Sequence, residues 1–125
     1  MKYSSSITFL YYKDFSYGVD FVENILQLDL VMDQGFARVY EVNNKGFLGI
    51  VQEKEASDVP GSTLFSLTTR NVEAEYKRIR TLEVYSLSEI KHFEQIPLKS
   101  FFFDDLEGHK FEIQQFLKEE DLKQF

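Results

Sequence analysis

KSFFFDDLEGHKFEIQQF, residues 99–116, is the stretch from which the rest of the chain is read. Two apolar runs flank the acidic turn Asp104-Asp105-Leu106-Glu107-Gly108, a pattern that predicts a β-hairpin. Successive strand side chains point to opposite faces, so Phe111 and Ile113 share one face and Glu112 looks out of the other. A carboxylate placed between two core-forming residues needs a partner or a ligand, because burying it unpaired is costly.

The segments before this hairpin form a pattern that occurs twice. Residues 5–13 read as a strand. Asp14-Phe15-Ser16 then supplies a turn and an N-cap for a helix with Val19, Val22, Leu26 and Phe21, Ile25 at helical spacing, which Gly18 weakens slightly. Strands over 28–33, 35–42 and 46–53 follow, separated by turn signals at Asp33-Gln34-Gly35 and Asn43-Asn44-Lys45-Gly46. The polar run QEKEASDVPGS, broken by Pro60-Gly61, marks a linker over about 55–62. The order then resumes with a strand at 63–69 and a helix at 72–82 capped by Asn71, with Val72, Tyr76, Ile79 and Leu82 on its inner stripe. Strands at 88–93, 98–104 and 109–117 complete it. The expected class is α+β: two paired βαβββ modules, residues 1–54 and 63–117, forming a curved mixed sheet around a cleft, with a short tail over 118–125.

Composition sets limits on function. The 125 residues are 43% hydrophobic and include thirteen Phe, seven Tyr and no Trp, so aromatic packing carries much of the core or lines a pocket. A formal charge of −7 opposes long-range attraction to a nucleic-acid backbone or an anionic membrane. The absence of cysteine removes disulfides, thiol nucleophiles and thiolate metal sites, and fits a cytoplasmic protein. The N-terminal MKYSSSITFLYYKD lacks an apolar core followed by a small-residue cleavage site. No run approaches the roughly 20 apolar residues that span a bilayer. No GxSxG, glycine-rich phosphate loop or His-Glu metal motif occurs. His109 and His92 are expected at the solvated surface, and Glu53, Glu55, Asp58 and Glu119-Glu120-Asp121 are expected to solvate a loop and the tail.

ITFLYYKDFSYGVDFVENILQLDL resembles the opening module of the vicinal oxygen chelate superfamily, which includes lactoylglutathione lyase, bleomycin-resistance proteins and extradiol dioxygenases. FFFDDLEGHKFEIQQF is similar to that family's closing hairpin, with Leu106 where a proline is usual. The resemblance covers nearly the whole chain and implies homodimers. It also implies four metal-ligand positions, here Ile7, Gly49, Leu64 and Glu112. Glu112 alone among them can bind a metal, and Ser6, Thr8, Leu48, Thr63 and Phe65 close by offer no replacement set of strong ligands. Transition metals require three or four N, O or S donors, so a metal-free member with no cofactor is expected.

Strand alternation puts Ile7, Phe9, Tyr11, Phe47, Gly49, Val51, Leu64, Ser66, Thr68, Glu112 and Gln114 on the cleft face. Leu10, Leu48, Ile50, Phe65, Leu67, Phe111 and Ile113 fall under the helices. Phe101 and Phe103 share a face and Phe102 takes the other, without a sequence signal for which looks inward. The expected ligand-binding residues are Phe9, Tyr11, Phe47, Ser66, Phe101, Phe103, Glu112 and Gln114. The favoured function is bleomycin-resistance-like sequestration of a small organic molecule. The alternative is a glyoxalase-like lyase or isomerase with Glu112 as general base, which lacks the metal that usually stabilises the enediolate. A bland reading, in which Glu112 is satisfied by Tyr11, Ser66, Thr68, Gln114 or water, stands beside both.

Overall fold

Each half of the chain folds as strand, helix and three further strands, as the alternation and capping signals predict. The computed structural model describes residues 5–54, 63–94 and 97–125. The expected linker with Pro60-Gly61 lies outside them. Two compact units are present, Met1–Ser62 and Thr63–Phe125.

In the first unit the order is β1 (Ser6–Tyr12), α1 (Phe15–Asp20), β2 (Asp29–Asp33), β3 (Ala37–Asn43) and β4 (Gly46–Gln52). The sheet runs β1-β4-β3-β2, with β1 parallel to β4 and the other pairs antiparallel. Asp14 starts α1 by accepting the Tyr17 amide at 3.1 Å and the Ser16 hydroxyl at 2.8 Å. Those contacts, the hydroxyl first, hold its carboxyl below the usual carboxylate range. The helix widens into a π turn over Phe21–Ile25, where the Leu26 amide reaches back five residues to the Phe21 carbonyl at 3.0 Å. Phe21, Val22, Ile25 and Leu26 are buried, as are Leu10, Tyr12, Leu48 and Ile50 of the strands. On the same side the buried Tyr40 hydroxyl donates to Glu23 Oε2 at 2.7 Å, and Arg38 bridges Glu23 and Asp33, each at 3.4 Å. Burial, followed by the Glu23 carboxylate, pushes the Tyr40 phenol up to about 12.

The second unit repeats this plan with β5 (Leu64–Thr68), α2 (Val72–Ile79), β6 (Lys91–Phe93), β7 (Leu98–Asp104) and β8 (Lys110–Phe116), followed by α3 (Glu119–Gln124). Its sheet runs β5-β8-β7-β6, again with one parallel pair, β5 with β8. The fold is therefore α+β, with two four-stranded mixed sheets. Asn71 caps α2 through the Ala74 amide at 3.0 Å. The core is an aromatic column. Phe103 stacks on Phe111 at 5.5 Å and on Phe101 at 6.1 Å, and Tyr76 of α2 meets Phe101 edge-on at 5.0 Å. Leu82, expected on α2, lies beyond its end, and the strand expected over 88–93 is shortened to β6. Before it, Ser88 makes two hydrogen bonds to the backbone of Phe102 without joining the ladder.

Gly18 has a packing role that its helix propensity hides. A Cβ there would stand 2.8 Å from two ring atoms of Tyr12, whose side chain is fully buried. Helix and sheet approach this closely only because no side chain intervenes. Alanine is the better helix former by about 1 kcal/mol, whereas overpacking a filled core costs about 1–3 kcal/mol. Gly18→Ala is therefore expected to lower stability, measured as a lower urea midpoint at unchanged slope. A raised midpoint would mean that the helix lifts away freely.

Candidate functional site

The face of the second sheet turned away from α2 carries the polar groups. Register fixes this: Glu112 stands directly opposite Phe102 on β7 and beside Ser66 on β5, while Gln114 stands opposite Ser100 and beside Thr68. The aromatic column locks Phe111 and Ile113 on the other face, so Glu112 must point away from the helix. The Ser66 hydroxyl donates to Glu112 Oε1, and Gln114 Nε2 approaches Thr68 Oγ1 at 3.4 Å. Ser100 Oγ is buried and has no hydrogen-bond partner among the described residues. Lys91 on β6, opposite Ser100 in register, sets its ammonium 5.9 Å from the centre of the Phe102 ring.

The corresponding face of the first sheet is apolar and aromatic. Phe9 pairs with Gly49 in the parallel ladder and lays its ring over it, and a Cβ on Gly49 would collide with that ring. Ile7, Tyr11, Phe47 and Val51 share this face by register. Phe9 remains 43% exposed although it covers Gly49, so its outer surface is available for contact. Glu41 of β3, opposite Phe47 in register, brings a carboxylate to this face.

Most of the expected site residues lie on these faces: Phe9, Tyr11 and Phe47 in the first unit, Ser66, Glu112 and Gln114 in the second. Phe101 and Phe103 do not. Both are fully buried against α2, on the side opposite Glu112, because their rings complete the column with Phe111 and Tyr76. Phe102 takes their place. A second correction concerns His109, expected in solvent. Its side chain is only 13% exposed, and Nδ1 lies 2.9 Å from the Asp105 carboxylate, which is itself fully buried. Asp105 also accepts the amides of Glu107 at 2.9 Å and His109 at 3.0 Å. With Gly108 at φ 85°, it makes the hairpin turn without a proline at position 106. No signal along the sequence marks Lys91 or Ser100, since only strand pairing places them near Phe102.

The residues present do not suit a metal ion. Of the four positions at which the fold family implies ligands, Ile7, Gly49 and Leu64 offer no donor side chain, and Glu112 is already bonded to Ser66. Among the described residues no group of three or more His, Cys, Asp or Glu side chains comes together for coordination. Nor is any described helix long and apolar enough to cross a membrane.

No protein-family model and no curated protein matches the sequence. Solved structures do. An integron cassette protein from the mobile metagenome of the Halifax Harbour sewage outfall superposes with a TM-score of 0.76 at 20% identity, over 92% of this chain and 99% of that one. A member of the glyoxalase/bleomycin resistance protein/dioxygenase superfamily from Sphaerobacter thermophilus gives 0.75 at 15%, over 92% and 98%. The fosfomycin resistance protein FosX from Mesorhizobium loti gives 0.70 at 15%, over 98% of both chains. The doubled βαβββ plan, the sheet order and these superpositions agree that the chain has the fold of the vicinal oxygen chelate superfamily.

Proposed function

We propose that this protein binds a small organic molecule without a metal, on the carboxylate-bearing open face of its second sheet, and that it acts by sequestration in the manner of a bleomycin-resistance protein. The observation that carries this reading is the setting of Glu112. A carboxylate held by one serine hydroxyl stands directly across from an aromatic ring, while Lys110, the other charge of β8 on this face, is paired with Asp104 at 3.5 Å, so the second carboxylate oxygen is left for a ligand. The likeness to proteins named for fosfomycin and bleomycin resistance supports the same reading. An isomerase with Glu112 as base needs a second group to stabilise the oxyanion. Ser66, whose single proton is committed to Glu112, does not supply one.

Elemental analysis of protein purified without chelator is expected to show no stoichiometric zinc, nickel, iron or manganese, and one metal per chain would refute the metal-free reading. In a thermal-shift screen of amine-bearing aromatic compounds, Glu112→Gln is expected to weaken the best binder about ten-fold or more, as loss of a charge-assisted hydrogen bond does. Unchanged affinity would remove Glu112 from the site, and turnover of an α-carbonyl compound that the variant abolishes would favour the isomerase. The protein is also expected to elute as a homodimer. The outer strand β2 and the turn after it leave Leu30, Val31, Met32 and Phe36 exposed, and an apolar surface of that kind is commonly covered by a second copy. A monomer at micromolar concentration would refute this.

A further inference from the structure

Three neighbouring strands of the second sheet place a cation, an aromatic ring and an anion on one face. Glu112 on β8 stands directly across from Phe102 on β7, Lys91 on β6 stands diagonal to it across from Ser100, and register puts all three side chains on one face. The two charged residues lie on strands two spacings, about 9.5 Å, apart and are further offset by two residues along the strands, since Lys91 faces Ser100 and Glu112 faces Phe102. Among the described residues neither is within ion-pairing distance of an opposite charge, so the ring separates two charges that do not neutralise each other.

The hydrogen bonding sets the polarity at each end. An ionised carboxylate only accepts, so the Ser66 proton lies on Glu112 and the pair presents acceptors alone to anything that arrives. A ligand group there must bring N–H donors, and the chain's charge of −7 draws a cation. At the other end the Lys91 ammonium has three donors and no acceptor. Its 5.9 Å distance from the ring centre is at the outer limit of a cation–π contact, so it can turn to an anionic group without losing a strong partner. A simple anion would be repelled by the net charge. An anionic group tethered to an ammonium would not.

The geometry points to a dipolar ligand: a small molecule with an ammonium at one end, a carboxylate at the other and a planar or apolar middle lying on Phe102, bound between Glu112 and Lys91. This rests on the reading that the Glu112 face binds a small molecule, and it names the class of molecule.

The test compares three probes of one shape by NMR titration of the intact chain: 4-(aminomethyl)benzoate, benzylamine and benzoate. The dipolar probe is expected to bind at least ten-fold more tightly than benzylamine, and benzoate the most weakly, with shifts at Phe102 and its neighbours. Lys91→Met should reduce the dipolar probe to the level of benzylamine and leave benzylamine unchanged, and Glu112→Gln should weaken both amines. Equal affinity of the wild type for the dipolar probe and benzylamine, or no effect of Lys91→Met, would overturn the dipolar ligand while leaving small-molecule binding intact. Benzoate binding as tightly as the dipolar probe would also overturn it. If neither amine shifts the resonances of this face, both the inference and the reading beneath it fail.

Discussion

The stacking of Phe103 on Phe111, extended by Phe101 and Tyr76, is the contact on which the second unit turns. It joins β7, β8 and α2 in one buried column, and it fixes the phase of β8. Strand side chains alternate with a period of two, so a slip of one residue would drive Glu112 into the column and expose Phe111. Burying an unpaired carboxylate while losing aromatic packing is penalised twice, and the register is strongly specified. The direction of Glu112 thus follows from the packing of residues that touch no ligand.

Glycine takes part in the first unit in a comparable way. Gly18 lets α1 settle on the ring of Tyr12, and Gly49 gives Phe9 a flat seat on the opposite face of the sheet. One close approach buries an aromatic ring beneath the helix, and the other leaves a ring half in water. The polar network of Tyr40, Glu23, Arg38 and Asp33 stays on the helix side, where Tyr40 is buried but bonded. On the face that carries Phe9, Tyr11 and Phe47 the charge that β3 contributes is Glu41, opposite Phe47 in register.

The two open faces differ chemically although they arise from the same plan. At the positions where the family's metal-binding members carry ligands, this chain has isoleucine, glycine and leucine, and the remaining carboxylate is held by a serine one strand away. A carboxylate retained in that setting can orient a donor group, but by itself it cannot assemble the coordination of a transition metal. What the second face offers is ordinary hydrogen-bond polarity and local charge. Asp105 illustrates the same economy in the hairpin: it accepts two amides and a histidine ring, and so closes a turn in which a leucine occupies the family's proline position.

The amino-acid sequence alone determined the element order, the helix caps at Asp14 and Asn71, the two faces of most strands and the outward direction of Glu112. These depend on local chemistry and on periods of 2 and 3.6 residues, both of which are visible along a chain. Tertiary structure decided what depends on pairing. Phe101-Phe102-Phe103 reads equally well in either phase, and only the ladder to β8 puts Phe102 with Glu112 and sends its neighbours into the core. His109 reads as a surface residue until the turn folds Asp105 back onto it, and Gly18 reads as a helix defect until Tyr12 lies beneath it. Lys91 reaches the face of Phe102 through a three-residue strand whose register is set by β7. In each case the deciding contact lies across a turn or between elements, where sequence spacing carries no distance information.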